Sequence, residues 1–263
     1  PAPAQEEQTN VRVAARVRPL LPREQATNCC SCVTVQASSQ QVVVGTRRAF
    51  AFDVVFDTDA TQAEVYDECV APLLAGCMQG YNATILAYGQ TGSGKTHTMG
   101  TGQASPQSPE EEGIAPKLIR NSFRHFDENQ EEVHFKASCC YMEIYNEEIR
   151  DLLQPNAPKH LITVRETADG VLQVAGIRSE ECGSAEDMTR CLNDGSAQRT
   201  TGATLMNEQS SRSHSIFTII LEQRRRGHRE VGAGDDEAAL RPTYRTAKFH
   251  LVDLAGSDRA KRT

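Results

Sequence analysis

Ala83-Thr84-Ile85-Leu86-Ala87-Tyr88-Gly89-Gln90-Thr91-Gly92-Ser93-Gly94-Lys95-Thr96-His97-Thr98-Met99 is the stretch on which the fold turns. Its opening residues, Ala83, Ile85, Leu86, Ala87 and Tyr88, form an apolar run that reads as a buried parallel strand. Gly89, Gly92 and Gly94 follow, then Lys95 and Thr96, and the spacing from Gly89 to Thr96 is G-x-x-x-x-G-K-[ST]. Glycines let the backbone curl until successive N–H groups converge on one anion. A helix opening after Gly94 turns its positive dipole end toward the same point. Lys95 would carry a full charge to the β- and γ-phosphates, and Thr96 a hydroxyl to Mg2+. The same letters also describe a glycine-rich strand-to-helix turn with no ligand, so the rest of the chain has to decide.

The chain has 263 residues, 38% hydrophobic and 24% charged, the composition of a globular protein. No stretch has the length and apolarity of a membrane span, and Pro1 to Asn10 is polar, with Glu6 and Glu7 where a signal peptide would be apolar. The net charge of −7 argues against generalised nucleic-acid binding. Local basic clusters remain at Arg224–Arg226 and at Arg259, Lys261 and Arg262. Nine cysteines, an odd number, speak against a disulfide framework. Cys29, Cys30 and Cys32 cluster, as do Cys139 and Cys140, but no partner follows at zinc-finger spacing. Reduced, packed thiols are therefore expected.

Outward from the opening stretch, the pattern predicts alternating strands and helices in a single α/β domain with some antiparallel pairing. Residues 1–9 read as a disordered tail. Strands are expected at Val11–Val17, Cys32–Gln36, Gln41–Gly45 and Phe50–Phe56, the last with Phe50, Phe52, Val54 and Phe56 on one face. Thr61 and Glu64 have capping-box spacing, and a helix from there should carry Val65, Cys69, Leu73 and Cys77 on one face until Gly80 stops it. The helix after Lys95 is broken by 100–113 and resumes at 116–126. Val133–Tyr145 is a central strand and Glu147–Leu153 a short helix. Ile162–Arg165 and Val171–Ile177 are strands around the turn at Gly170. Ser184 starts a helix that ends near Gly195. Ile216–Gln223 and Lys248–Leu254 are strands.

Two further stretches bear on the phosphate loop. Phe249, Leu251 and Val252 run into Asp253, the arrangement of an apolar strand ending in a Mg2+-orienting carboxylate, directly or through water. Gly256, three residues on, offers an N–H to a γ-phosphate oxygen. Asn207-Glu208-Gln209-Ser210-Ser211-Arg212-Ser213-His214 is dense in hydroxyls, and by composition alone it is a serine-rich loop before a strand.

Arg16-Val17-Arg18-Pro19, Gly89 to Thr98, Asn207 to His214 and Asp253 to Ser257 together closely resemble a kinesin motor domain, over nearly everything from Asn10 to Thr263. Arg199-Thr200-Thr201 with Met206 to Ser211 is similar to the chromokinesin-type class. The resemblance implies a P-loop NTPase fold of kinesin motor type, with a central, mostly parallel mixed β-sheet flanked by helices. It implies ATP and Mg2+ as cofactors and ATP hydrolysis as the reaction. Gly89, Gln90, Thr91, Gly92, Ser93, Gly94, Lys95 and Thr96 become the phosphate loop. Arg16, Arg18 and Pro19 come to the nucleotide, Arg16 and Pro19 packing on adenine with His97 on its other side. Asn207, Ser210, Ser211 and Arg212 match switch I, Ser211 as the Mg2+ ligand beside Thr96 and Ser210 as partner of the attacking water. Asp253, Gly256 and Asp258 match switch II, with Asp253 toward Mg2+ through water.

Microtubules are the implied partner, met by Lys159 to Val174 and by the basic segment Arg259 to Arg262. The implied location is the cytoplasm and microtubule cytoskeleton, including spindle, nucleus or cilium. A homodimer through a coiled coil, and any DNA or chromatin contact, would lie beyond residue 263. So would the last microtubule-binding helices, the neck linker and one strand inside the sheet, which makes 10–263 an incomplete motor domain expected to fold poorly alone. Asp258 stands where kinesins carry Glu, which pairs with the switch I arginine. One methylene less implies either closer loops or a weak latch to Arg212. The second reading is therefore a nucleotide-gated tubulin-binding scaffold with little turnover. A GTPase is disfavoured, because the Asn-Lys-x-Asp pattern that reads guanine is absent from the sequence.

Overall fold

A computed structural model describes residues 11–102, 108, 110–168, 170, 172–204, 209–225 and 244–258. It divides into two compact units, Pro1–Val65 and Tyr66–Thr263.

In the first unit, β1 (Ala14–Arg16) pairs in parallel with β5 (Val54–Phe56). After α1 (Pro22–Ala26), strands β2 (Val33–Gln36), β3 (Gln41–Val44) and β4 (Arg48–Ala51) form an antiparallel meander. The strand expected over Phe50–Phe56 is thus two strands in two sheets. Asp53 divides them: its amide donates to the Val13 carbonyl at 3.0 Å, and its carboxylate accepts the Val13 N–H at 2.7 Å. Val54 and Phe56 are buried, whereas Phe50 remains 49% exposed.

α2 (Gln62–Cys69) opens on the expected capping box. Glu64 donates its N–H to the Thr61 hydroxyl at 3.2 Å, and the Thr61 N–H donates to the Glu64 carboxylate at 2.7 Å. The run does not continue unbroken to Gly80. Pro72 has no N–H to give the preceding turn, so a second helix, α3 (Ala71–Met78), starts around it.

The second unit is built on a sheet with strand order β11-β7-β12-β13-β6. These are β6 (Ala83–Ala87), β7 (Val133–Tyr145), β11 (Glu180–Cys182), β12 (His214–Arg225) and β13 (Tyr244–Asp253). β7 has the bounds that the sequence predicts. The sheet is mixed, as expected, but mostly antiparallel among the described residues of this unit, where only β13 and β6 run parallel. β6 closes one end of that order, so its burial alternates and Leu86 is 60% exposed. It is not the fully buried strand its apolar run suggests.

Three helical elements follow the loop after β6: α4 (Lys95–Met99), α5 (Ile114–Asn129) and, further on, α6 (Ala185–Thr204). Glu147–Leu153 is not a helix. Asn146 and Glu147 both take positive φ, 50° and 63°, and turn the chain back as β8 (Glu148–Asp151) on β7. β9 (Thr163–Glu166) and β10 (Leu172–Ala175) form the expected antiparallel pair. α7 (Gln209–Arg212) is a single turn.

α6 starts where expected, with Ser184 accepting the Asp187 N–H at 3.1 Å, but runs through Gly195. That glycine is there for packing, since an added Cβ would overlap the fully buried Tyr141 ring. Gly195→Ala should therefore destabilise by about 1–3 kcal/mol in thermal unfolding. Gly76→Ala in α3, where a Cβ meets nothing within 4 Å, should cost nothing. Equal midpoints for the two variants would contradict this packing role.

Candidate functional site

β6 and β13 end side by side, Ala87 level with Asp253, so the loop after one strand meets the carboxylate that closes the other. Gly89 and Gly94 have φ of 153° and 97°, conformations that suit glycine, and a Cβ on Gly89 would lie 2.6 Å from Ser93 Oγ. The ammonium of Lys95 donates to the carbonyls of Gly89 at 2.9 Å and Gln90 at 3.1 Å. Thr96 donates its hydroxyl to Asp253 Oδ2 at 2.7 Å. The helix they open, α4, has only five residues before Gly100 turns the chain away, so its dipole is smaller than a long helix would supply.

Asp253 is 1% exposed and has a second, unforeseen partner. Arg199 on α6, itself buried, reaches Asp253 Oδ2 at 2.7 Å, Ser215 Oγ at 3.0 Å and the Ser213 carbonyl at 3.2 Å. The other oxygen, Asp253 Oδ1, is buried and has no hydrogen-bond donor among the described residues. A buried carboxylate oxygen left unpaired is costly unless a ligand or its water completes it. A cavity of about 260 Å3 adjoins it, lined by Thr91, Lys95, Thr96, Arg199, Ser211 and Asp253 among others. An anion-binding loop, two hydroxyls and a buried acceptor in need of a donor suit a magnesium polyphosphate.

The two hydroxyl- and glycine-bearing segments touch each other here. Gly256 donates its N–H to the Ser211 carbonyl at 2.6 Å, Ser257 donates to the Gly89 carbonyl at 3.1 Å, and Ala255 donates to His214 Nδ1 at 3.1 Å. The Gly256 N–H expected at a phosphate oxygen is thus held by Ser211. The Asp258 carboxylate accepts the hydroxyl and, at 3.2 Å, the N–H of Thr91. Among the described residues its partners are Thr91 and, at longer range, Lys95.

The Thr91 hydroxyl, then its N–H, then Lys95 hold the Asp258 carboxyl below its usual range. A depressed carboxyl contributes its interaction above the ordinary value and loses it as pH falls through the lowered one. A carboxyl 13C titration of Asp258 should then give a midpoint below the ordinary 3.8. A midpoint at or above that value would show that the Thr91 contact does not form in solution.

In the first unit, Arg16 donates to Gln62 Oε1 at 2.7 Å and to the Ala60 carbonyl at 3.2 Å. Arg18 pairs with Glu24 at 2.7 Å, which with the Leu21 N–H lowers that carboxyl to about 2. Pro19 and His97 are exposed. Asn207, the side chain of Ser210 and the basic segment at 259–262 lie outside the described residues.

The family model for the kinesin motor domain matches residues 16–263. The chain is 44% identical to kinesin-like protein KIF21B of Mus musculus over 96% of its own length and 16% of that protein's. It is 45% identical to the chromosome-associated kinesin KIF4 of Xenopus laevis, over 96% of this chain and 20% of the relative. Among solved structures, a fast kinesin superposes with a TM-score of 0.83 at 31% identity, covering 96% of this chain and 67% of that one. The chain thus spans about a fifth of the length of these curated relatives.

Proposed function

From the premise that this chain belongs to the kinesin motor domain family, we propose that it binds Mg–ATP and hydrolyses it to drive movement on microtubules. The observation that carries the reading is the cavity where Lys95, Thr96 and Ser211 surround a buried Asp253 with one unpaired oxygen. Residues 89–96 cradle the phosphates, and Lys95 supplies charge to them. Thr96 and Ser211 would hold Mg2+, with Asp253 behind them, and a bound ion would supply charge neutralisation for the phosphates. His97 is assigned to the nucleotide base side, and Asn207, Ser210 and Arg212 to the γ-phosphate side.

Hydrolysis of this kind needs positioning and charge stabilisation more than covalent chemistry. The Gly256–Ser211 bond would be one state of a two-state element. With the N–H on Ser211, the two segments are tied to one another; released, that N–H is available to an anion in the cavity. Exchange between the two would make the segments respond to the nucleotide and change the affinity of a distant surface. That surface is assigned to the hairpin of β9 and β10 and the turn before it, where Leu161, Val164 and Leu172 are exposed. The likeness to chromosome-associated kinesins favours that branch and a microtubule setting in spindle or nucleus.

Phosphate release by the full chain, followed with and without polymerised tubulin, tests the reading. Stimulation by tubulin of at least about tenfold, which is 1.4 kcal/mol of barrier, is the expected result. ATP binding without stimulated release would refute it.

A further inference from the structure

Away from the nucleotide cavity, β7, β11 and the inward face of α6 bring together Cys139, Cys182 and Cys191. Their sulfurs all lie within 4.8 Å of one another, and those of Cys139 and Cys182 are 3.8 Å apart. The backbone register sets this up. Cys182 faces Ala137 across the β11–β7 pair, which puts it diagonally beside Cys139. Cys191 sits three residues after the buried Met188 on α6 and four before Gly195, so it shares the side of the helix that packs on β7. No sequence spacing announces the group, because its members come from three separate elements.

The geometry has a chemical match. A zinc–thiolate bond of about 2.3 Å places two sulfurs of a tetrahedral site about 3.8 Å apart. Cys182 and Cys191 also line a groove of about 540 Å3, along with Arg178, Glu180, Asp187 and Asp194. The groove provides an entry path and water for a fourth position. The thiols already act on one another: the Cys139 and Cys182 sulfurs share a hydrogen bond in which either can be the donor. Burial raises Cys191. Cys77, buried without such company, is an ordinary packed thiol pushed up to about 11 by burial alone.

We propose that Cys139, Cys182 and Cys191 form a binding site for one zinc-like thiophilic cation, held by three thiolates and a water from the groove. Each coordinating thiol gives its proton to solvent, so binding strengthens as pH rises. The bound ion would pin β11 and the first half of α6 to β7. Since α6 carries Arg199, occupancy would stiffen the helix that supports Asp253.

Cobalt(II) is the spectroscopic probe. The full chain, reduced with a phosphine and with Cys29, Cys30 and Cys32 replaced by serine, is titrated with Co2+ and back-titrated with Zn2+. A thiolate-to-cobalt charge-transfer band saturating at one equivalent and displaced by Zn2+ is expected. Cys182→Ser and Cys191→Ser should each weaken binding by at least about tenfold. In the unaltered chain, Zn2+ should slow iodoacetamide alkylation of Cys182 and Cys191, read peptide by peptide, and leave Cys69 unchanged. This second measurement does not depend on the variants folding. No saturable band, a band that survives Cys191→Ser, or alkylation rates indifferent to Zn2+ would each overturn the site.

Discussion

Replacing Lys95 by Ala is expected to lower tubulin-stimulated ATP turnover by on the order of 10^2–10^3-fold, the scale of losing one preorganised charge or donor aimed at developing negative charge. The ammonium donates to two carbonyls of its own loop, Gly89 and Gln90, at 2.9 and 3.1 Å. Both acceptors belong to the turn that would cradle phosphate, so the charge is held at the rim of the cavity. Loss of these bonds leaves one carbonyl at an exposed residue and one at a half-buried residue, both within reach of solvent. The fold should survive, with an unchanged far-ultraviolet dichroism spectrum. Lys95→Arg should not rescue, because a planar fork cannot reproduce a point charge within so tight a turn. Turnover of the alanine variant within threefold of the parent would remove Lys95 from the reaction.

Much of this site was legible because its parts are local. The phosphate loop is one continuous stretch, and the strands on either side of the cavity are two apolar runs; that these two strands pair with each other in parallel is seen only in the structure. What the sequence did not disclose depends on packing between distant segments. Glu147 gave no turn signal, since the Asn146-Glu147 pair lacks the glycine that marks most such hairpins, and a helix was expected where β8 returns. Gly195 has the look of a helix stop in the sequence, whereas in the structure it is a contact with Tyr141. A helix ending there hides Arg199. Had α6 been extended, Met188, Leu192 and Arg199 would have fallen on one face at helical spacing. An arginine on a buried face calls for a buried carboxylate. For Asp258 the sequence leaves two alternatives, closer loops or a weak latch to Arg212, and the Thr91 contact is legible in neither.

Arg199 carries the second large expectation. Arg199→Ala should destabilise the fold by about 3–5 kcal/mol, because it leaves the charge of Asp253 buried with only the Thr96 hydroxyl as donor. For a chain of this size the unfolding midpoint should fall by on the order of 10 °C. The loss comes from the stranded partner more than from the attraction between the two groups. Asp253→Asn in the Arg199→Ala background should therefore recover part of the stability, although it removes the proposed magnesium-side carboxylate and should abolish turnover. Arg199→Lys should recover less than the parent level, since an ammonium cannot reach Asp253, Ser215 and Ser213 from one planar group as the guanidinium does. Stability and activity then move in opposite directions in the double variant, a pattern that general damage to the fold would not produce. If Arg199→Ala unfolds within 1 kcal/mol of the parent, the ion pair is not what holds Asp253 beneath the phosphate loop.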